Sequence, residues 1–156
     1  MKANIGITDN HLLKTASLLN VLLADESVLY TKTRNYHWNV TAPNFMELHK
    51  FMEEQYGELA EAIDEVAERV RQLGHYSLGS LGSFLKATRL TEGQDDSSAL
   101  KMIQNLLDDH ETIIRELRND IETVDEKYKD AGTADFLTGV MKMHEKMGWM
   151  LRAYLN

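Results

Sequence analysis

The sequence contains no cysteine. That excludes a disulfide framework and any thiolate metal site, so metal chemistry here would have to use nitrogen and oxygen donors. Proline occurs once, as Pro43, and the β-branched runs expected of strands are scarce, which points to an all-helical chain. Basic residues are in the minority: 17 Lys and Arg stand against 25 Asp and Glu, for a formal net charge of −8. Such a balance is a poor match for DNA phosphates and suits a protein that gathers cations. No apolar run approaches the roughly 18 to 20 residues needed to cross a bilayer. The N-terminus, "MKANIGITDNHLLK", lacks the basic start, apolar stretch and small-residue cleavage site of a secretory signal. The reading is a cytoplasmic protein without a membrane partner.

What is present is helical periodicity. The 156 residues are the size of one ordinary domain, taken here as residues 1–156. Apolar residues at Leu12, Ala16, Leu19, Leu23 and Tyr30 mark an amphipathic helix over about 9–38, with Thr8 or Asp9 as its cap. Continued by sevens, that stripe reaches His37, which should face inward. "NVTAPN" interrupts it, and Asn44 is placed to cap a second helix over about 44–73. Its apolar face is Phe45, Leu48, Met52, Tyr56, Leu59, Ile63, Val66 and Val70, and Gly74 supplies the stop.

Residues 74–98 hold four of the nine glycines and form the longest connection, with "LGSFLKAT" as a short helix inside it. A connection of that length suits a crossover between parallel helices. A third long helix follows over about 97–123, capped from Asp96 to Ser98, with Leu100, Ile103, Leu107, Ile114, Leu117 and Ile121 on its apolar face. "DEKYKDAGT" reads as the last loop. The fourth helix, about 133–155, carries Phe136, Val140, Met147, Met150, Leu151 and Tyr154. The fold expected is a ferritin-like four-helix bundle with one long crossover.

The chemistry is concentrated in "NYHWNVTAPNFMELHKFMEEQYGELAEAIDEVAER". On a wheel of 100° per residue with His49 at zero, Glu53 lies at about 40°, Asp64 at about 60° and Glu68 at about 100°. The apolar residues occupy about −100° to −20°, so the carboxylates run beside the core face rather than within it. Yet His49 and Asp64 are separated by about 22 Å of helix at 1.5 Å per residue, far beyond ligand bonds of about 2 Å. Within one chain these are two half-sites. Two copies of the helix packed antiparallel about a two-fold axis would bring His49 and Glu53 of one against Asp64 and Glu68 of the other, twice over. A short break between the two helices permits His37 to reach the same place but does not require it. Such N/O donors suit iron, zinc or manganese. The competing reading is a solvated acidic flank beside a packed histidine, and no Glu-x-x-His pair offers an intrachain di-iron site.

"YHWNV", followed by "F-x-x-L-H-x-x-F" and "D-x-x-A-E-R", resembles the signature of the Dps mini-ferritins, the DNA-binding proteins from starved cells. The likeness spans nearly the whole chain, including the glycine-rich connection and the "TAD" opening the last helix. It implies a hollow dodecamer of four-helix bundles that oxidises ferrous iron, preferably with hydrogen peroxide, at sites between two-fold-related subunits. Ferric mineral is stored inside, which protects against oxidative stress. The resemblance puts the ferroxidase ligands at His37, His49 and Glu53, with Asp64 and Glu68 supplied by a second subunit, and zinc as a substitute metal. Many members carry Asp at the Glu53 position. Trp38 resembles an indole beside the centre, with radical quenching and simple packing as its two readings. Glu126, Asp130 and Asp135 match acidic residues lining ion pores, with helix capping the alternative for Asp135, and Glu54, Glu58 and Glu61 form a further acidic stripe that reads first as a solvated face and second as a mineral-nucleating one. The name-giving alternative is a nucleoid-compacting DNA binder with little ferroxidase role. It relies on a lysine-rich tail, and before the first helix this sequence offers only Lys2, so DNA binding is not expected.

Overall fold

The computed structural model describes residues 3–95 and 98–155. Its long helices are α1 (Asp9–Asn39), α2 (Phe45–Gln72), α4 (Ala99–Glu122) and α5 (Ala131–Leu155), with the short α3 (Leu81–Ala87) in the crossover. The all-α ferritin-like bundle expected from periodicity is the one observed.

Each boundary has a local cause. Thr8 caps α1 by accepting from the His11 amide at 3.3 Å, which satisfies one of the orphan donors of a helix start. Asn44 precedes α2 but makes no side-chain cap. Gly74 closes α2 at φ +87°: its amide bonds to Arg71 O and the His75 amide to Val70 O, the left-handed closure that glycine adopts without cost. Ser80 and Ser83 cap α3 reciprocally, and Ser98 caps α4 by accepting from the Lys101 amide at 3.4 Å. Asp96 and Ser97, the other caps proposed for α4, lie outside the described residues.

Opposed contacts fix the topology. Tyr30 meets Tyr56 and His37 meets His49, so α1 and α2 are antiparallel. Arg118 pairs with Glu145 and Arg152 with Glu111, so α4 and α5 are antiparallel as well. The crossover climbs beside α1. Asn20 bonds Tyr76 O and the Leu78 amide, Asp25 holds Thr88 and Arg89, and Gly93 packs so close to Lys32 that an added Cβ would sit 2.9 Å from Lys32 Cγ. The chain is thereby carried back to the other end, and α4 runs parallel to α2.

The core is a single cluster of Leu, Ile, Val and Met from all four long helices, where each fully buried large aliphatic contributes about 1.5–3 kcal/mol. Three expectations need correction. Leu100 is 61 % exposed, because Met102, Ile103 and Leu106 form the buried line of α4 instead. Phe45 is exposed and covers His49 rather than the core. The last loop is shorter than "DEKYKDAGT": Thr123–Lys127 continue α4 as a π-helical turn and α5 starts at Ala131. The turn closes with Lys129 at φ 60° while the Asp130 amide reaches Val124 O. Lysine here does what Gly74 does at the end of α2.

Candidate metal centre

The short break between α1 and α2 sets His37 face to face with His49. Their ring centroids are 3.7 Å apart and their planes 19° from parallel. His37 Nδ1 lies 2.7 Å from the carbonyl oxygen of His49, and His49 Nδ1 lies 2.9 Å from the carbonyl oxygen of His37. A carbonyl oxygen only accepts, so both Nδ1 atoms must donate. With Nδ1–H so committed, Nε2 is the nitrogen of each ring left for a metal, since imidazole binds metals through the lone pair of the nitrogen that carries no proton. Each backbone therefore orients the other residue's ring. Phe45 stacks on His49 at 5.1 Å and Tyr56 meets His37 edge-on at 5.2 Å, completing a ladder of four rings that restricts rotation. His37 is buried, as the helical stripe required, and His49 is half-buried.

Glu53, Asp64 and Glu68 are all exposed. None has a hydrogen-bond or ion-pair partner among the described residues. Nor do any three His, Asp or Glu side chains of the described residues stand together as a metal-holding group. The structure thus joins the two histidines and leaves the three carboxylates facing outward.

Trp38 is 62 % exposed, and the Arg34 guanidinium carbon sits over its ring, 4.8 Å from the centroid. Of the three pore candidates, Glu126 and Asp135 are exposed. Asp130 is buried and spends both oxygens inside the chain, accepting from the Thr133 amide at 3.0 Å and the Thr133 hydroxyl at 2.5 Å, with Arg69 at 3.4 Å. It caps α5. Glu58 and Glu61 of the acidic stripe share a groove of about 350 Å³ with Glu65 and Asp135, floored by Phe136, Val140 and Met143.

Periodicity missed a polar network inside the bundle. His144 Nε2 is 2.7 Å from Glu26 Oε1, and its Nδ1 is 2.8 Å from His110 Nδ1. All three residues are fully buried. Burial, and secondly the neighbouring His144, holds His110 well below its usual 6.5. His144 turns its two nitrogens to different neighbours, so the three side chains do not converge on one point, and this is a hydrogen-bonded chain rather than a metal site. The only sequence cue was a histidine on each apolar face.

A model of the ferritin-like domain matches residues 16–156. A DNA protection during starvation protein 2 of Bacillus anthracis is 37% identical, over 89% of this chain and 94% of its own. The chain belongs to the Dps mini-ferritins. A low temperature-induced protein of Nostoc sp. is 46% identical, over 99% of this chain and 87% of its own length. The crystal structure of a Dps protein from Vibrio cholerae O1, described as a member of a broad superfamily of ferritin-like diiron-carboxylate proteins, superimposes with a TM-score of 0.93. It is 34% identical and covers 100% of this chain and 98% of that one. DpsC from Streptomyces coelicolor superimposes at 0.95, with 30% identity, 100% of this chain and 91% of that one. Among the described residues, no helix is long and apolar enough to cross a membrane.

Proposed function

We propose that this Dps chain is the protomer of an iron-oxidising, iron-storing homo-oligomer. His37, His49 and Glu53 of one copy and Asp64 and Glu68 of a second enclose ferrous iron as substrate. The observation that carries the reading is the reciprocal Nδ1–H···O=C lock, at 2.7 and 2.9 Å. It leaves Nε2 of each ring uncommitted to the backbone, beside the helix whose exposed Glu53, Asp64 and Glu68 have no partner among the described residues. Neutral nitrogen donors with several anionic oxygens suit a borderline cation such as Fe²⁺, and zinc fits the same set.

In this reading the residues bind, orient and neutralise. The carboxylates offset the charge of the ions, the imidazoles fix their position, and the redox chemistry belongs to iron. Hydrogen peroxide is the preferred oxidant: each of two ferrous ions gives up one electron, the O–O bond takes both, and two protons complete two waters. Paired delivery avoids hydroxyl radical. Trp38 stands beside the centre to intercept stray oxidising equivalents. The exposed Glu126 and Asp135 serve as the iron entry path of a dodecamer, and the Glu58–Glu61–Glu65 groove faces stored mineral.

Anaerobic ferrous iron mixed with peroxide tests this. The parent should consume two ferrous ions per peroxide in a fast phase, and His49→Ala combined with Asp64→Ala should remove that phase. Parent-like oxidation by the double variant would refute the assignment.

A further inference from the structure

Among the described residues, Arg34 is a cation without a counter-charge. Its guanidinium carbon lies 4.8 Å from the Trp38 ring centroid, 5.4 Å from that of Tyr30 and 5.7 Å from that of Tyr56. Nη1 donates to the Tyr30 hydroxyl at 3.0 Å, and Nε is buried with no acceptor. The other half-buried or buried cations of the bundle have carboxylates: Lys32 has Asp109, Arg69 has Asp130, and Arg89 has Asp25, Glu116 and Asp120. No carboxylate among the described residues pairs with Arg34. A guanidinium is never neutral in a protein, and desolvating one without an anion is costly. Three aromatic faces offset part of that cost. Arg34 is therefore held by a ring cage with its charge unspent.

Its place in the register says where the charge goes. Because Tyr30 faces Tyr56 and His37 faces His49, Arg34 stands level with Met52 and Glu53 of α2. An antiparallel second copy that brings its acidic half-site to His49 and Glu53 brings the partner's Asp64 and the partner's Glu68 to that same level. Among the described residues those two carboxylates have no cation in their own chain, as Arg34 has no anion.

We propose that Arg34 is the standing counter-charge for the acidic half-site of the second copy. Its guanidinium pairs with the partner's Asp64 or the partner's Glu68 before iron arrives, and incoming iron displaces it. This rests on the two-copy centre proposed above. Arg34 is a positioning residue: it suppresses repulsion between carboxylates in the iron-free interface and competes with the metal ion nearest to it, so that one iron position fills after the other.

The test uses the intact oligomer of the parent, Arg34→Gln, Arg34→Lys, Asp64→Asn and the Arg34→Gln/Asp64→Asn double variant. Sedimentation of the metal-free proteins should show Arg34→Gln dissociating at about tenfold lower stability than the parent at low salt, the size of a close interfacial charge pair, with the difference shrinking at high salt. Arg34→Lys should recover most of it. Adding Arg34→Gln to Asp64→Asn should cost little more than Asp64→Asn alone, and anaerobic Zn²⁺ titration should show tighter binding in Arg34→Gln. Additive losses in the double variant, or unchanged salt dependence and zinc affinity in Arg34→Gln, overturn the inference. If iron oxidation depends on His49 and Asp64 but the coupling is absent, only this inference falls. If the coupling is present while oxidation ignores those residues, the centre is wrong and the interface pairing stands.

Discussion

His110 and His144 meet Nδ1 to Nδ1 at 2.8 Å in the fully buried heart of the bundle. The contact needs one ring to donate and the other to accept, so a proton is shared between α4 and α5. The far side of His144 is tied to Glu26 on α1. The His144–Glu26 contact joins the two helical hairpins where no solvent can supply a substitute.

Acid should unfold the protein through this pair. His110 is pushed well below 6.5, by burial first and His144 second, so the folded state refuses a proton that the unfolded chain accepts. Its contribution is complete above about pH 6.5 and is lost as pH falls toward the lowered folded value. The slope is about 1.4 kcal/mol per pH unit for one proton. Urea unfolding at pH 7.5 and pH 5.5 should show that loss, and His110→Gln should flatten it. An unchanged slope in the variant would assign acid sensitivity to other groups.

Asp25 anchors the crossover. Fully buried, it accepts from the Thr88 hydroxyl at 2.9 Å, the Arg89 amide at 2.6 Å and Arg89 Nε at 2.7 Å. Asp25→Ala leaves the guanidinium half-buried beside two weaker partners, Glu116 and Asp120. A loss of about 3–5 kcal/mol is expected in equilibrium unfolding. Limited proteolysis should then cut first between residues 88 and 95. A stability change below 1 kcal/mol would show the anchor to be dispensable.

Lys129 holds a left-handed conformation, φ 60°, that glycine adopts without strain. Lys129→Gly should stabilise the chain by about 1 kcal/mol, read as a raised urea midpoint. A fall would mean that the lysine side chain makes a contribution larger than its strain.

Glu53 carries one more methylene than the Asp of many Dps members. If the longer arm weakens the second iron position, Glu53→Asp should tighten the second of two anaerobic Fe²⁺ binding steps while leaving the first unchanged. Calorimetry distinguishes this from a uniform shift.

DNA should not be bound. With a formal net charge of −8, the chain offers little phosphate neutralisation, and a gel-shift experiment at neutral pH and physiological salt should show free DNA. A salt-sensitive shift would overturn this.

Periodicity alone located four long helices and the short one, because apolar recurrence at 3.6 residues is a local signal. It also placed His37 on a buried face, and the distance along α2 from His49 and Glu53 to Asp64 and Glu68 is what the proposed two-copy centre rests on. The histidine lock was not legible: His37 and His49 hydrogen-bond through each other's backbone, a consequence of how tightly residues 40–44 turn. Neither was the Glu26–His144–His110 chain, whose members are up to 118 positions apart and meet only once the bundle packs. Asp130 resembled an open pore acid until the fold buried it under Thr133 and Arg69. Sequence fixes what repeats along a helix; which side chains face one another across helices is decided by packing, where distance along the chain no longer counts.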